Sequence, residues 1–201
     1  SKREDLREKL VFTIDPATAK DFDDAISLEY DEDGHWILGV HIADVSHYVV
    51  EGTPLDEEAV ARGTSCYLVN RVIPMLPEVL SNGLCSLVPH EPRYCLSAFL
   101  TLDRQGKLLN TRLAETLIKS RHRFTYEEAM DVLVDRDVKG KWPTYVRTVV
   151  KETGVIAQIL RRNRERAGAL NLFSVEHRFK LDVNGVPIEI MAESSDASHQ
   201  L

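Results

Sequence analysis

Thirteen residues near the start of the chain, Thr13 to Ala25, read TIDPATAKDFDDA and hold four aspartates: Asp15, Asp21, Asp23 and Asp24. Lys20 is the single opposing charge among them. Leu10, Val11, Phe12 and Ile14 precede the first acid, and Ala25, Ile26 and Leu28 follow the last. Flanks that are driven out of water carry the acids with them, so the carboxylates cannot all stand free in solvent. Two unit charges about 4 Å apart repel by about 4 kcal/mol at an effective dielectric near 20. Carboxylates gathered in this way require protons or cations. A hard, all-oxygen donor set selects Mg²⁺, with Mn²⁺ as the other candidate, over softer metals.

The residues leave competing readings open. An acidic surface loop is the ordinary fate of an aspartate-rich stretch. A calcium loop of the EF-hand type starting at Asp21 needs glycine and glutamate where Ile26 and Glu32 stand, so the glycine is missing. A phosphoaspartate site places an Asp-x-Asp pair after an apolar strand, whereas Asp21-Phe22-Asp23 follows Ala19-Lys20. In an extended segment side chains alternate faces, which sets Asp21 and Asp23 on one side and Asp24 on the other. A turn at Pro16 can fold Asp15 back towards them. Two divalent ions about 3.5–4 Å apart stabilise both the attacking and the leaving oxygens of an in-line displacement. Metal-assisted hydrolysis of a phosphodiester is the reaction class these residues suggest.

The elements that must position the acids follow from pattern and punctuation. Val11 to Asp15 reads as a strand ending at the first aspartate, and Asp23 to Tyr30 as a second, with a hairpin turn at Asp33-Gly34. Trp36 to Val45 is a third strand, apolar enough to be central. Thr53 as N-cap, Pro54 and Asp56 open a short helix that ends near Gly63. Pro74, Pro77 and Pro89 keep the following stretch from being one regular element, and its length marks it as functional. Tyr94 to Leu102 and Lys107 to Ile118 form a hairpin about Gln105-Gly106. Thr125 and Glu128 make a capping box for a helix to about Val134. Pro143 to Arg166 is the longest helix, stopped by Gly168, and Phe179 to Met191 is a last hairpin about Asn184-Gly185 with Pro187 at an edge or bulge. The expected fold class is α+β, a mixed, largely antiparallel sheet with flanking helices.

At 201 residues the chain can bury a sizeable core. Its net charge, 25 − 32 = −7, argues against a general nucleic-acid binder. Two basic clusters run the other way: Lys119, Arg121 and Arg123 in KSRHR, and Arg161, Arg162, Arg164 and Arg166 in RRNRER. Each is either a solvated face or a binding patch. Cys66, Cys85 and Cys95 form no CxxC pair, which suggests reduced thiols and a cytoplasmic setting. No apolar run approaches a membrane span, and SKREDLREKL is not a signal peptide. Neither GxGxxG nor GxxxxGK[ST] occurs.

TIDPATAKDFDDAISL, GVHIADVSHYV, GTPLDEEAVARGTSCYLVNRVIPMLPEVLSNGLCSL and the capped helix after them resemble, in that order, the ribonuclease II / ribonuclease R family. The resemblance covers nearly the whole chain and is nearest to the ribonuclease R branch. It implies an RNB-type catalytic domain that degrades single-stranded RNA processively from the 3′ end, releases nucleoside 5′-monophosphates and uses Mg²⁺. Carried over residue by residue, it makes Asp15, Asp21, Asp23 and Asp24 the catalytic and metal-binding carboxylates. Asp15 and Asp24 match positions of direct metal binding, and Asp23 matches an aspartate whose loss disables cleavage.

Tyr67 matches an aromatic that packs on nucleotides near the 3′ end; stacking of this kind is worth about 1–3 kcal/mol per base. A core tyrosine in a strand is its other reading. Arg71, in the RVIPMLP loop, is a candidate contact to the phosphate backbone. Asp44 is a supporting carboxylate or a strand-end cap, and His41 and His47 are read as structural. The family's catalytic domain extends well beyond this length. The chain is therefore expected to be the N-terminal half of such a domain, with ESSDASHQL entering the next helix. The C-terminal half, with its Ser-Pro-Arg-Arg-Tyr type motif, and the flanking OB-type RNA-binding domains are expected elsewhere, so the chain alone should have little activity. A non-catalytic RNA-binding or scaffolding relative, and a metal-dependent phosphatase, are the alternatives.

Overall fold

The computed structural model describes residues 3–136, 140–170 and 176–193. The first half holds β1 (Glu4–Asp5), β2 (Val11–Asp15), β3 (Asp24–Tyr30), β4 (Trp36–Ala43), α1 (Pro54–Arg62), β5 (Cys66–Tyr67) and β6 (Val72–Ile73). The second holds β7 (Pro92–Leu102), β8 (Leu108–Lys119), β9 (His122–Thr125), α2 (Tyr126–Leu133), α3 (Thr144–Arg166), β10 (Glu176–Leu181) and β11 (Pro187–Glu193). Seven strands form one sheet in the order β1-β8-β7-β4-β3-β2-β9, while β5–β6 and β10–β11 are separate hairpins. Two pairings in the sheet are parallel, β1 with β8 and β2 with β9, so the sheet is mixed as expected.

Side-chain alternation gives the sheet two buried faces. On one, Phe12, Ile26, Leu28, Trp36, Leu38, Leu102 and Phe124 pack against Ala129 and Val132 of α2 and Val146, Val150 and Ile156 of α3. On the other, Val11, Ala25, Ala43, Cys95 and Ile118 pack against Leu80, Cys85 and Leu87 from the long connection between α1 and β7. Both helix starts follow their caps. The Thr53 hydroxyl accepts from the Asp56 N–H, and Thr125 with Glu128 forms the full capping box. Glu152 pins α3 to the sheet, accepting from Trp36 Nε1 at 2.9 Å and from Arg104 at 3.2 Å, with the Tyr30 hydroxyl on its other oxygen.

A row of buried polar groups crosses four strands. Ser27 Oγ lies 2.9 Å from His41 Nε2, His41 Nδ1 lies 2.7 Å from Ser97 Oγ, and Ser97 Oγ lies 2.6 Å from Thr116 Oγ1. Gly39 makes the row possible, since a Cβ there would meet Ser27 Oγ at 2.3 Å. His41 is fully buried, and burial pushes its pKa down to about 4, so it is a neutral, structural histidine.

Two boundaries differ from the sequence reading, the first being that the second strand begins at Asp24 rather than Asp23. The third strand ends at Ala43, because Asp44 leaves the ladder to cap a single 3₁₀ turn, Val45–His47. Asp44 also pairs with Arg3 at 2.5 Å, so it is a cap and an anchor for the N-terminal segment. Residues 4, 5 and 7–9 are exposed, as polar residues should be, while β1 pairs with β8 and Leu6 is buried. The proline-punctuated connection is, as expected, no single regular element; it contains β6 and a wide helical turn, Val79–Leu84. Of the stretch read as a helix entrance, residues 194–201 lie outside the described residues.

Candidate functional site

Asp15 closes β2, Asp24 opens β3, and Asp21 and Asp23 lie in the connection between them. The two strands pair antiparallel through Val11–Ser27 and Phe12–Ile26, so the end of β2 at Asp15 and the start of β3 at Asp24 lie at the same end of the pair. Asp24 keeps company with Ile26 on the α3 side, as strand alternation requires. The fold thus draws the two ends of the acid segment to one end of a strand pair.

Burial and charge act together on the carboxylates at this end of the strand pair. Asp15 is only 8% exposed, and its Oδ2 has no hydrogen-bond partner among the described residues. Burial pushes its carboxyl up to about 6, with the charges of Asp24 and Asp23 adding to the rise. The Thr13 hydroxyl, close but not in good hydrogen-bond geometry, and the Arg123 charge act in the opposite sense. Asp23 and Asp24 reach solvent, yet partial desolvation raises both, and Asp21 and Asp24 raise Asp23 further. The charges of Asp23 and Asp24 thus act on Asp15, and those of Asp21 and Asp24 act on Asp23.

The gathering is loose. Among the described residues, the only three ligating groups whose atoms all come within 4.8 Å of one another are Asp31, Asp33 and His35, in the β3–β4 turn. The donor set nevertheless fits a hard divalent cation: it is all carboxylate oxygen, and one buried oxygen lacks a partner.

Arg123 lies beside this set. It stands opposite Thr13 in the β2–β9 ladder, donates from Nη2 to the Pro16 carbonyl at 2.6 Å, and places its guanidinium 5.4 Å from the Phe22 ring centre. It thereby holds both the turn after Asp15 and the residue after Asp21. In the sequence Arg123 is one member of KSRHR, indistinguishable from a solvated charge; the alternation of β9 is the signal that could have singled it out.

Beyond Asp24 a cleft of about 650 Å³ runs between β3, β4 and α3, with an apolar floor of Ile26, Val40 and Ile156 and with Arg161 and Arg164 on its wall. Tyr67 and Arg71 stand on the exposed β5–β6 hairpin; Tyr67 is 70% exposed, which excludes the core-tyrosine reading. No hydrogen bond or ion pair among the described residues joins that hairpin's Tyr67 or Arg71 to the acid segment.

Residues 3–201 match the RNB domain family, and the chain belongs to it. It is 42% identical to Ribonuclease R from Chlamydia muridarum over 99% of this chain and 28% of that protein. It superposes with a TM-score of 0.91 on ribonuclease R from Mycoplasma genitalium in complex with ribose-methylated single-stranded RNA, at 32% identity, covering 100% of this chain and 31% of that one. The yeast pseudonuclease Ssd1 shares the fold alone, with a TM-score of 0.68 at 21% identity over 82% of this chain and 20% of that one. The chain thus spans less than a third of the length of these relatives.

Proposed function

We propose that this chain carries the carboxylate half of a 3′→5′ exoribonuclease domain that hydrolyses single-stranded RNA to nucleoside 5′-monophosphates. Asp15 carries the reading: a nearly buried carboxylate, raised to about 6, with one oxygen unpartnered and two further carboxylates acting on it. A purely structural aspartate in such a place would be paired or hydrogen-bonded. The kinship with ribonuclease R supplies the substrate class.

Asp15, Asp21, Asp23 and Asp24 would hold Mg²⁺, with Mn²⁺ as a substitute. The ion's chemistry is neutralisation of charge on the phosphoryl oxygens and activation of water. Asp15 supplies the fixed point at the end of β2. Asp23 and Asp24, open to solvent, face the incoming phosphate and orient the attacking water. Tyr67 stacks on a base, and Arg71 pairs with a backbone phosphate. Further length of the kind its relatives have would supply the groups that grip the scissile phosphate and the OB-type RNA-binding domains. The three free thiols suit action in the cytoplasm.

Labelled single-stranded RNA incubated with the full-length protein, with and without EDTA, tests this. A mononucleotide product that EDTA abolishes is expected; cutting that is indifferent to EDTA would exclude the metal mechanism. A non-catalytic RNA-binding relative is the second reading, favoured by the fold shared with a pseudonuclease. It predicts RNA retention on a filter with no shortening.

A further inference from the structure

Residues 20–23 lie in no strand or helix, so no ladder holds them, although Asp21 and Asp23 are in this stretch. Ser86, at the end of the long connection before β7, does that work instead. Its side chain is fully buried, between the buried Cys85 and Leu87. The hydroxyl accepts from the Phe22 N–H at 3.0 Å and donates to the Lys20 carbonyl at 2.8 Å. Those two groups stand on either side of Asp21. The Leu87 N–H donates to the Phe22 carbonyl at 2.9 Å, so residues 86 and 87 hold both backbone groups of Phe22. Arg93 Nε donates to the Ser86 carbonyl at 2.8 Å and ties the serine to β7. The Asp23 carbonyl then accepts from the Ala43 N–H at 2.8 Å, and Asp24 enters β3.

We propose that Ser86 is a positioning residue for the acid segment. It fixes where Asp21 projects and the point from which Asp23 and Asp24 leave towards Asp15, while itself touching neither metal nor RNA. A hydroxyl is the side-chain group that donates and accepts at once in so small a volume, which is what a one-residue clamp between an N–H and a carbonyl needs. The proposal rests on the acid segment being the metal site.

The test uses the full-length protein and four forms: wild type, Ser86→Ala, Ser86→Cys and Val150→Ala. Ser86→Ala removes both bonds but leaves the Phe22 ring anchored in its core cluster. Ser86→Cys keeps the volume and weakens both bonds. Val150→Ala loosens the opposite core and serves as a stability-matched control. Three readouts are taken: amide hydrogen exchange at Phe22 to Asp24, Mn²⁺ affinity from the electron paramagnetic resonance of the free ion, and the kinetics of RNA cleavage.

The expected order is wild type, then Cys, then Ala. Exchange at Phe22 should quicken at least tenfold in Ser86→Ala, and Mn²⁺ affinity should fall at least tenfold. RNA cleavage should lose kcat with KM nearly unchanged, and Val150→Ala should behave as wild type in all three. Wild-type exchange in Ser86→Cys, or equal losses in Val150→Ala, would overturn the positioning role. Quickened exchange confined to the Ser86 variants, in a protein that binds no Mn²⁺ at all, would keep the clamp and sink the metal reading.

Discussion

Two acidic groups lie a few residues apart in this chain and behave in opposite ways. In the β3–β4 turn, Asp31 accepts from the Asp33 N–H at 3.0 Å, from the His35 N–H at 2.8 Å and from His35 Nδ1 at 2.9 Å. Desolvation opposes the effect, but the His35 hydrogen bonds outweigh it and hold the Asp31 carboxyl below its ordinary range. In the acid segment Asp15 has a buried oxygen with no partner, and Asp15, Asp23 and Asp24 are all raised. The turn is the tighter cluster, yet its charges are already satisfied by the chain. Closeness of carboxylates does not mark a ligand site; charge that the fold has gathered and left uncompensated does.

The largest expected effect separates the two groups by chemistry. Asp23→Asn should lower single-turnover RNA cleavage by at least about a hundredfold, the scale set by losing one transition-state contact, with RNA affinity nearly intact. Asp31→Asn, in the turn, should cut at the wild-type rate. Equal losses in both variants would erase the distinction.

Stability against pH sharpens it in metal-free protein. The raised Asp15 takes up a proton in the folded state before the unfolded one, so it adds stability as pH falls from about 6 towards 3.8. The depressed His41 does the reverse, and its folded state loses ground as pH falls from 6.5 towards about 4. Each contributes on the order of 3 kcal/mol across nearly the same window, so these two contributions should largely cancel in the wild type. Asp15→Asn should unmask the histidine and lose up to about 3 kcal/mol between pH 6.5 and 4, read by denaturant unfolding. A flat profile in that variant would show that His41 charges freely.

Added Mn²⁺ at about a hundred times its dissociation constant should stabilise the wild type by about 2.7 kcal/mol. That gain should persist in Asp33→Asn and shrink in Asp24→Asn. A gain lost with Asp33 instead would move the site to the turn. The smallest effect concerns RNA: Tyr67→Ala should weaken binding by about 1–3 kcal/mol through lost stacking, while leaving Mn²⁺ affinity unchanged.

Much of the fold was legible because local chemistry agreed with the final arrangement. β2 ends at Asp15 as read, since Pro16 follows it. Thr53, Thr125 and Glu128 cap the helices they announce, and Gly34 takes the positive φ of its turn. Local pattern failed where a distant partner set the outcome. Arg3 and Leu6 stand in a run of polar surface residues, but Arg3 finds Asp44 and Leu6 finds the second core cluster. Asp44 falls inside an apparent strand, and its side chain ends that strand by accepting from His47 N–H. Arg123 and Ser86 look like any charge and any serine until β9 and the long connection lie beside the acid segment.

The amino-acid sequence by itself determined which groups can do chemistry here: four carboxylates on apolar flanks, at spacings that two short strands and a turn must bring near one another. It also determined the RNB kinship, because the motifs occur in order along the chain. Only the tertiary structure decided which carboxylate is buried without a partner, and which clustered acids are already satisfied. Desolvation and hydrogen-bond pairing depend on neighbours dozens of residues away, as Ser86 lies from Phe22, and such neighbours have no signature in local pattern.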